Sequence, residues 1–394
     1  YCRRATTPPD PMTDKRTIAE RIRAAREALG YTQQRLAELA GFANLQTISD
    51  IERGQREVKA WELVQLARAL HTDVDVLLGL RGAPEPIRVL WRRGSRGKDR
   101  RREAQLIARA RRYAQLEEWC GEAVPSSLPN EQFDPATATL KSVEDLAERL
   151  RRSMDLGNIP AVSLLTTLEE TYGVKIFYEP LTGEADGDSS AACARGDFGA
   201  AVLIDSSEAP WRRNFSLAHE LFHLITWDAV EAAWTRDAPP GGEPDWYESL
   251  ERLANRFAAV LLLPADSLLS HWNARVDNGS IRYVDVIELA RKFGVSTQAL
   301  LYRMVGLRYL RTEEVERVLA DPEFVRLDRR SQAEHWGPPP EPLPERYLRL
   351  AYQAYEREII GPSKLAEFLE KPLGSFELPK PGLADAAEAT LTVA

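Results

Sequence analysis

The run Ala218-His219-Glu220-Leu221-Phe222-His223-Leu224-Ile225 limits what this chain can become more than any other feature. On a helix, residues four apart share a face, so both imidazoles can reach one metal ion. Glu220 lies between them, where it can take a proton from a water activated by the metal and later hand it to a leaving amine. The apolar Leu221, Phe222, Leu224 and Ile225 require this helix to be buried, which would fix the ligands and exclude competing water. Ser216 is the expected N-cap. Histidine is scarce, five in 394 residues, and two of the five fall in this one motif, which argues against coincidence.

A catalytic zinc takes three protein ligands and keeps one open position. Residues 246–264, WYESLERLANRFAAVLLLP, form a second helical pattern with acidic residues before an apolar run. Glu251 and Asn255 are four apart and share a face. Glu251 is the leading third ligand, with Glu248 one turn earlier and Asp228 or Glu231 just after the histidine helix as alternatives. Asn255 would hydrogen-bond the far nitrogen of a ligand histidine. Two histidines and one carboxylate suit Zn²⁺, and also Mn²⁺ or Fe²⁺.

Composition is ordinary for a globular chain, 44% hydrophobic and 28% charged, which excludes wholesale disorder and collagen. The longest apolar run, 257–263, is too short to span a bilayer, so no membrane partner is expected. The first residues carry no apolar stretch of signal-peptide length. Three cysteines without metal-ligand spacing exclude a disulfide scaffold, and a reducing cytoplasm is the expected setting. Charge is uneven. The 52 basic and 60 acidic residues divide as 24 and 16 up to Glu118, and as 28 and 44 beyond it. A polyanionic partner is therefore expected for the N-terminal part alone.

The periodicity predicts a mainly α protein with a small β-sheet, of α+β class. Residues 1–16 read as a disordered tail, with the first eleven outside the fold. Five short helices follow over 17–80, with Thr32 capping the second and Gly30, Gly41 and Gly54 acting as stops. Residues 81–139 read as a flexible basic linker, WRRGSRGKDRRR, and a helical connector over 104–119. Between 140 and 270, helices are expected over 142–154, from Pro160, over 216–227 and over 246–263. Strands are expected at 174–178 and 200–204, a loop at 183–190, and a polar loop around Pro239 and Gly242. Residues 271–394 read as a helical C-terminal region with a proline-rich break at 338–344, in which 282–310 pack as structural support. His71, His271 and His335 read as surface residues. Trp272, Trp336 and Tyr347 fall in no binding pattern.

Two resemblances sharpen this reading. FSLAHELFH followed by ExxANxFAAxLLLP, with the strand at 200–205 and the approach Arg212, Arg213, Asn214 and Phe215, resembles the ImmA/IrrE family of metallo-endopeptidases over about residues 140–270. The resemblance implies a zincin-like, gluzincin-type zinc peptidase domain with His219, His223 and Glu251 as metal ligands and Glu220 as base. Phe222 stands where many members have Gly, and its ring is expected to narrow the substrate cleft.

The run TIAERIRAAREALGYTQQRLAELAGF, continued by QTISDIERGQREVKAWELVQLARAL, resembles the helix-turn-helix domain of the XRE (Cro-type) regulators over residues 17–80. The resemblance implies double-stranded DNA as partner, with the third helix in the major groove. It makes Gln33 a phosphate contact and Asn44, Gln46, Thr47 and Ser49 base-reading or phosphate contacts. Arg53 and Arg56 become phosphate anchors, and Leu36, Ala37, Ile48 and Ile51 core. One residue more than the commonest spacing separates Gly41 from Ile48, so the base contacts are expected to shift. Together the resemblances imply a cytoplasmic regulator whose zinc endopeptidase domain cleaves a helix-turn-helix repressor to control stress or mobile-element genes. The alternative is a transcription factor or antitoxin-like repressor in which the peptidase fold is a non-catalytic sensor or dimerisation domain. A homodimer is compatible with either.

Overall fold

A computed structural model describes residues 11–80, 87–92, 100–125, 128–181, 190–239 and 244–376. Most of the expected tail, much of the basic linker, the loop at 183–189 and the stretch from 240 to Gly242 lie outside the described residues. The chain forms two compact units, residues 1–87 with 96–109, and residues 88–95 with 110–394.

The first unit holds α1 (Pro11–Ala28), α2 (Gln33–Leu39), α3 (Leu45–Glu52), α4 (Ala60–Ala69) and α5 (Val74–Leu78). The first helix begins at Pro11, six residues before the expected start. Gly30 ends its approach with φ +68°, a left-handed turn that favours glycine. Thr32 accepts a hydrogen bond from the Arg35 amide and starts α2, and Asn44 does the same for Thr47 at the start of α3. Ile22, Leu36, Ile48, Ile51, Leu66 and Leu77 close one small core.

The second unit opens with β1 (Val89–Trp91), a strand inside the segment expected to be linker. Helix α6 (Arg100–Cys120) follows, its residues up to Arg109 grouping with the first unit. Then come α7 (Leu140–Ser153) and α8 (Pro160–Thr166), which runs on into a π turn at Thr167–Thr171. Next are β2 (Lys175–Glu179), β3 (Ala191–Gly196), β4 (Gly199–Asp205), α9 (Pro210–Ile225), α10 (Trp227–Asp237) and α11 (Tyr247–Leu262). The C-terminal region is α12 (Ala265–Asn273), α13 (Tyr283–Lys292), α14 (Thr297–Gly306), α15 (Thr312–Ala320), α16 (Pro322–His335), α17 (Glu345–Glu356) and α18 (Pro362–Phe368). The expected break at 338–344 separates α16 from α17. No single described helix is long and apolar enough to cross a membrane.

The sheet runs β1-β3-β4-β2. β3 and β4 are antiparallel, β2 joins β4 in parallel, and β1 pairs antiparallel with the outer side of β3, Leu90 opposite Cys193. Helix α9 packs on β3 and β4, and α11 packs between α9 and α7. This stack is the main core.

Three expectations are corrected here. Ser216 is not an N-cap: Pro210 opens α9 six residues earlier, at the position where its missing N–H costs nothing, and Arg212 to Phe215 are already helical. Residues 227–237 form α10 rather than open loop. Phe222 does not narrow a cleft. Its ring is wholly buried in the core, 5.2 Å from Phe133 and 5.4 Å from Phe257.

Gly294 shows how the C-terminal region supports α9. The Asn214 side chain donates to its carbonyl at 3.0 Å, and an added Cβ would sit 2.8 Å from both Asn214 and Ala161. Tyr347 is a packing residue, edge-on to Tyr113 at 5.3 Å and donating its hydroxyl to the Phe368 carbonyl. Beside it the buried Glu117 is shared by Lys175 and Arg346.

Burial pushes the Glu169 carboxyl in the π turn up to about 7, opposed by the Arg346 guanidinium and reinforced by Glu170. The folded chain therefore holds this proton more tightly than the unfolded chain, and stability falls as pH rises from about 4.5 to 7. Glu169→Gln is expected to raise the melting temperature at pH 8 and leave it nearly unchanged at pH 4. Thermal melts at both values test this, with an effect on the order of 2 kcal/mol at pH 8 after allowance for residual exposure.

Candidate metal centre and DNA-binding helix

Burial on the sheet fixes α9 so that His219 and His223, one turn apart, aim at α11. Glu251 on α11 meets them. Its carboxylate oxygens lie 3.3 Å from His219 Nε2 and 3.2 Å from His223 Nε2, and the two Nε2 atoms are 3.1 Å apart. One donor atom from each residue falls within 4.8 Å of the others, a geometry able to hold one ion. The alternatives stand elsewhere. Glu248 is exposed, Asp228 pairs with Asn130 and Arg195, and Glu231 pairs with Arg88.

Asn255, one turn beyond Glu251, has its Oδ1 3.2 Å from His219 Nδ1. An oxygen there accepts the Nδ1 proton and leaves Nε2 with its lone pair toward the other donors. Burial pulls His219 down to about 4, against the pull of Glu251. Burial acts the same way on His223, but hydrogen bonding and charge from Glu251 outweigh it and hold that imidazole above its ordinary value. Glu251 is half-buried, and although desolvation opposes it, the two imidazoles keep its carboxyl well below the usual range.

Glu220 is fully buried, which pushes its carboxyl up to about 7. The Cys193 thiol of β3 lies against it, a weak donor. Apart from that thiol, neither carboxylate oxygen finds a hydrogen-bond partner among the described residues, and His223 Nδ1 is likewise buried without one. A carboxyl poised near neutrality beside a three-donor cluster can accept and return a proton.

In the first unit, Asn44, Gln46 and Arg53 lie on the exposed side of α3 and its ends, with Thr47 and Ser49 half-buried. Several are held in place by the fold. Asn44 caps α3, Gln46 donates to Asp50 at 2.8 Å, and Arg53 pairs with Asp50 at 2.9 Å. Gln33 donates to the buried Glu52, and Arg56 pairs with the buried Glu62 at 2.7 Å.

Comparison with known proteins bears on both units. Residues 22–77 match the helix-turn-helix family, and residues 169–305 match the family described as IrrE N-terminal-like domain, of M78 peptidases. The control protein C.SmaI of Serratia marcescens is 37% identical over 71 residues, which are 18% of this chain and 83% of that protein. The chain is a helix-turn-helix protein that carries an IrrE-like M78 peptidase domain. Among solved structures, a Mycobacterium tuberculosis transcriptional regulator aligns with 49% of this chain and 51% of its own, at 16% identity and a TM-score of 0.29. This chain thus spans about half the length of that regulator. A PrgX mutant aligns with 82% of this chain and 97% of its own, at 10% identity and a TM-score of 0.15.

The helix-turn-helix domain is held by a network that sequence reasoning missed. Arg26 on α1 makes a two-pronged ion pair with Glu52 on α3, at 2.6 and 3.0 Å, and donates to the Tyr31 carbonyl at 2.7 Å. The IrrE-like domain has a missed residue too. Arg92, read as linker charge, donates to Ser216 Oγ at 2.8 Å and to Asn255 Oδ1 at 3.3 Å, beside the donor cluster. Its one sequence signal is the apolar triplet Val89-Leu90-Trp91 before it, too short for a strand to be read from pattern alone.

Proposed function

We propose that this chain is a DNA-binding regulator whose M78 domain is a metal-dependent endopeptidase that cleaves a helix-turn-helix repressor, controlling stress or mobile-element genes. The observation that carries the reading is the cluster of His219, His223 and Glu251 around one point, with the buried, partner-poor Glu220 beside it. His219, His223 and Glu251 are the metal ligands, and two imidazoles with one carboxylate fit zinc best while admitting Mn²⁺ or Fe²⁺. Bound there, the ion would polarise a peptide carbonyl and acidify water. Asn255 fixes the tautomer and tilt of His219. Glu220 takes the proton of the attacking water and passes it to the leaving amine.

Elemental mass spectrometry on the purified chain tests the ligand set. About one zinc per chain is expected, lost in Glu251→Ala, with affinity weakened about 10–100-fold in Asn255→Ala. A folded chain that takes up no metal when zinc is supplied would overturn the peptidase reading. It would favour the second reading, a transcription factor or antitoxin-like repressor with a non-catalytic peptidase fold, which the complete burial of Glu220 and His219 also suits.

On the DNA side, we assign base reading to Asn44, Gln46, Thr47 and Ser49, and phosphate contacts to Gln33, Arg53 and Arg56, with a homodimer on two half-sites as the assembly. Arg53→Ala is expected to weaken binding to all duplexes alike and to lower the slope of log affinity against log salt by about 1. Gln46→Ala is expected to relax preference at one base pair, a loss of about 1–3 kcal/mol there. Selection from a randomised duplex pool, followed by salt titrations, distinguishes the two effects.

A further inference from the structure

The strand β1 is an odd member of its sheet. It is three residues long, lies at the edge, and falls outside the span that matches the IrrE-like family. Without it, β3 would present an unpaired edge next to the donor cluster, and an open strand edge is a template for an extended peptide. The way β1 is held resembles the capture of a peptide. Its backbone pairs antiparallel with Ala192 to Ala194, the Arg92 amide donates to the Ala191 carbonyl at 3.0 Å, and the Tyr247 hydroxyl donates to the Trp91 carbonyl at 3.2 Å. Tyr247 is one helical turn before Glu251. The Arg92 guanidinium then reaches Ser216 on α9 and Asn255 on α11, so it bridges the two helices that supply the donors. Leu90 joins the main core from the same side. With the strand seated, the Glu220 and His219 side chains are 0% exposed, and of the donor set Glu251 keeps the largest part of its side chain open to solvent, at 17%.

We propose that the chain's own Leu90-Trp91-Arg92 is a removable occupant of the β3 edge, where it competes with a substrate segment that pairs in the same way. The inference rests on the peptidase reading and names its substrate class: an extended segment in which an apolar residue, an aromatic residue and an arginine follow one another. Leu90 fills the apolar position, the carbonyl of the aromatic residue meets Tyr247, and the arginine spans Ser216 and Asn255. Tethered in the same chain, the segment competes at an effective concentration on the order of millimolar. Cleavage in trans then requires it to leave the edge.

Fluorescence anisotropy on the full chain tests this without requiring turnover. The probe is a fluorescein-labelled peptide with the sequence of residues 87–92. The double variant Leu90→Asn, Arg92→Ala is expected to bind it at least tenfold more tightly than the wild type. A control peptide carrying Leu90→Pro, which cannot donate to the ladder, is expected to bind neither. Equal binding by wild type and a folded variant would overturn the proposal. If the variant does not fold by circular dichroism, hydrogen exchange on the wild-type chain decides. Leu90 and Arg92 amides exchanging at least 100-fold faster than those of Val202 and Leu203 support a removable strand, and equal protection overturns it. Failure of the peptidase reading would appear as missing metal or cleavage with peptide binding intact, whereas failure of the competition appears as absent binding in a metal-loaded chain.

Discussion

Glu220→Gln is expected to keep its metal and lose peptide cleavage by about 10²–10⁴-fold, the range that a positioned general base supplies. The substitution preserves shape and burial, so the apolar faces of α9 stay packed and His219 and His223 keep their places. What disappears is the site that takes a proton. The wild-type carboxyl is held up to about 7 by burial, close enough to neutrality to accept a proton from water and return it to an amine within one turnover. An amide does neither. The measurement pairs elemental mass spectrometry with a cleavage assay on whatever repressor or peptide the wild type cuts. Retained cleavage would sink the assignment of Glu220 as base. Loss of cleavage together with loss of metal would move Glu220 into a structural role, and the Glu251→Ala variant shows what that pattern looks like.

The parts of this chain that could be read in advance are those written within one helix. His219 and His223 share a face because four residues make about one turn, whatever surrounds them. Glu251 and Asn255 follow the same rule on α11, and the cap Thr32 acts within three residues of itself. The fold class was legible for the same reason, since a mainly helical chain repeats its pattern locally.

What escaped depends on distant pairing. Strand β3 is Ala-Ala-Cys-Ala-Arg-Gly, with no β-branched residue, and is a strand only because β4 and β1 flank it. Strand β1 hides in an arginine-rich stretch. The start of α9 was misplaced because Arg212, Arg213 and Asn214 interrupt the apolar period that announces the helix. The direction of the Phe222 ring is set by Phe133, 89 positions earlier, and by Phe257 on α11. Arg26 and Glu52 are 26 positions apart, and nothing local marks them as partners.

That last pair carries the second large effect. Arg26→Ala is expected to destabilise the helix-turn-helix domain by about 3–5 kcal/mol, as breaking a buried ion pair from one side does. The Glu52 side chain is 2% exposed and Arg26 11%, so solvent cannot replace the lost partner. Gln33 still donates to Glu52, but one amide hydrogen bond does not compensate a buried carboxylate, and the Tyr31 carbonyl loses its donor as well. Because α1, α2 and α3 all meet at this carboxylate, the loss should appear as melting of the whole first unit and not as fraying of one helix. The double variant Arg26→Met, Glu52→Leu removes both charges and keeps most of the volume. It is expected to recover most of the stability, since apolar replacements of buried pairs are often neutral or better. Chemical denaturation followed by circular dichroism on the full chain measures both. An Arg26→Ala cost under about 1 kcal/mol, the range of an exposed ion pair, would mean that the network is solvated in solution and does not hold α3 in place.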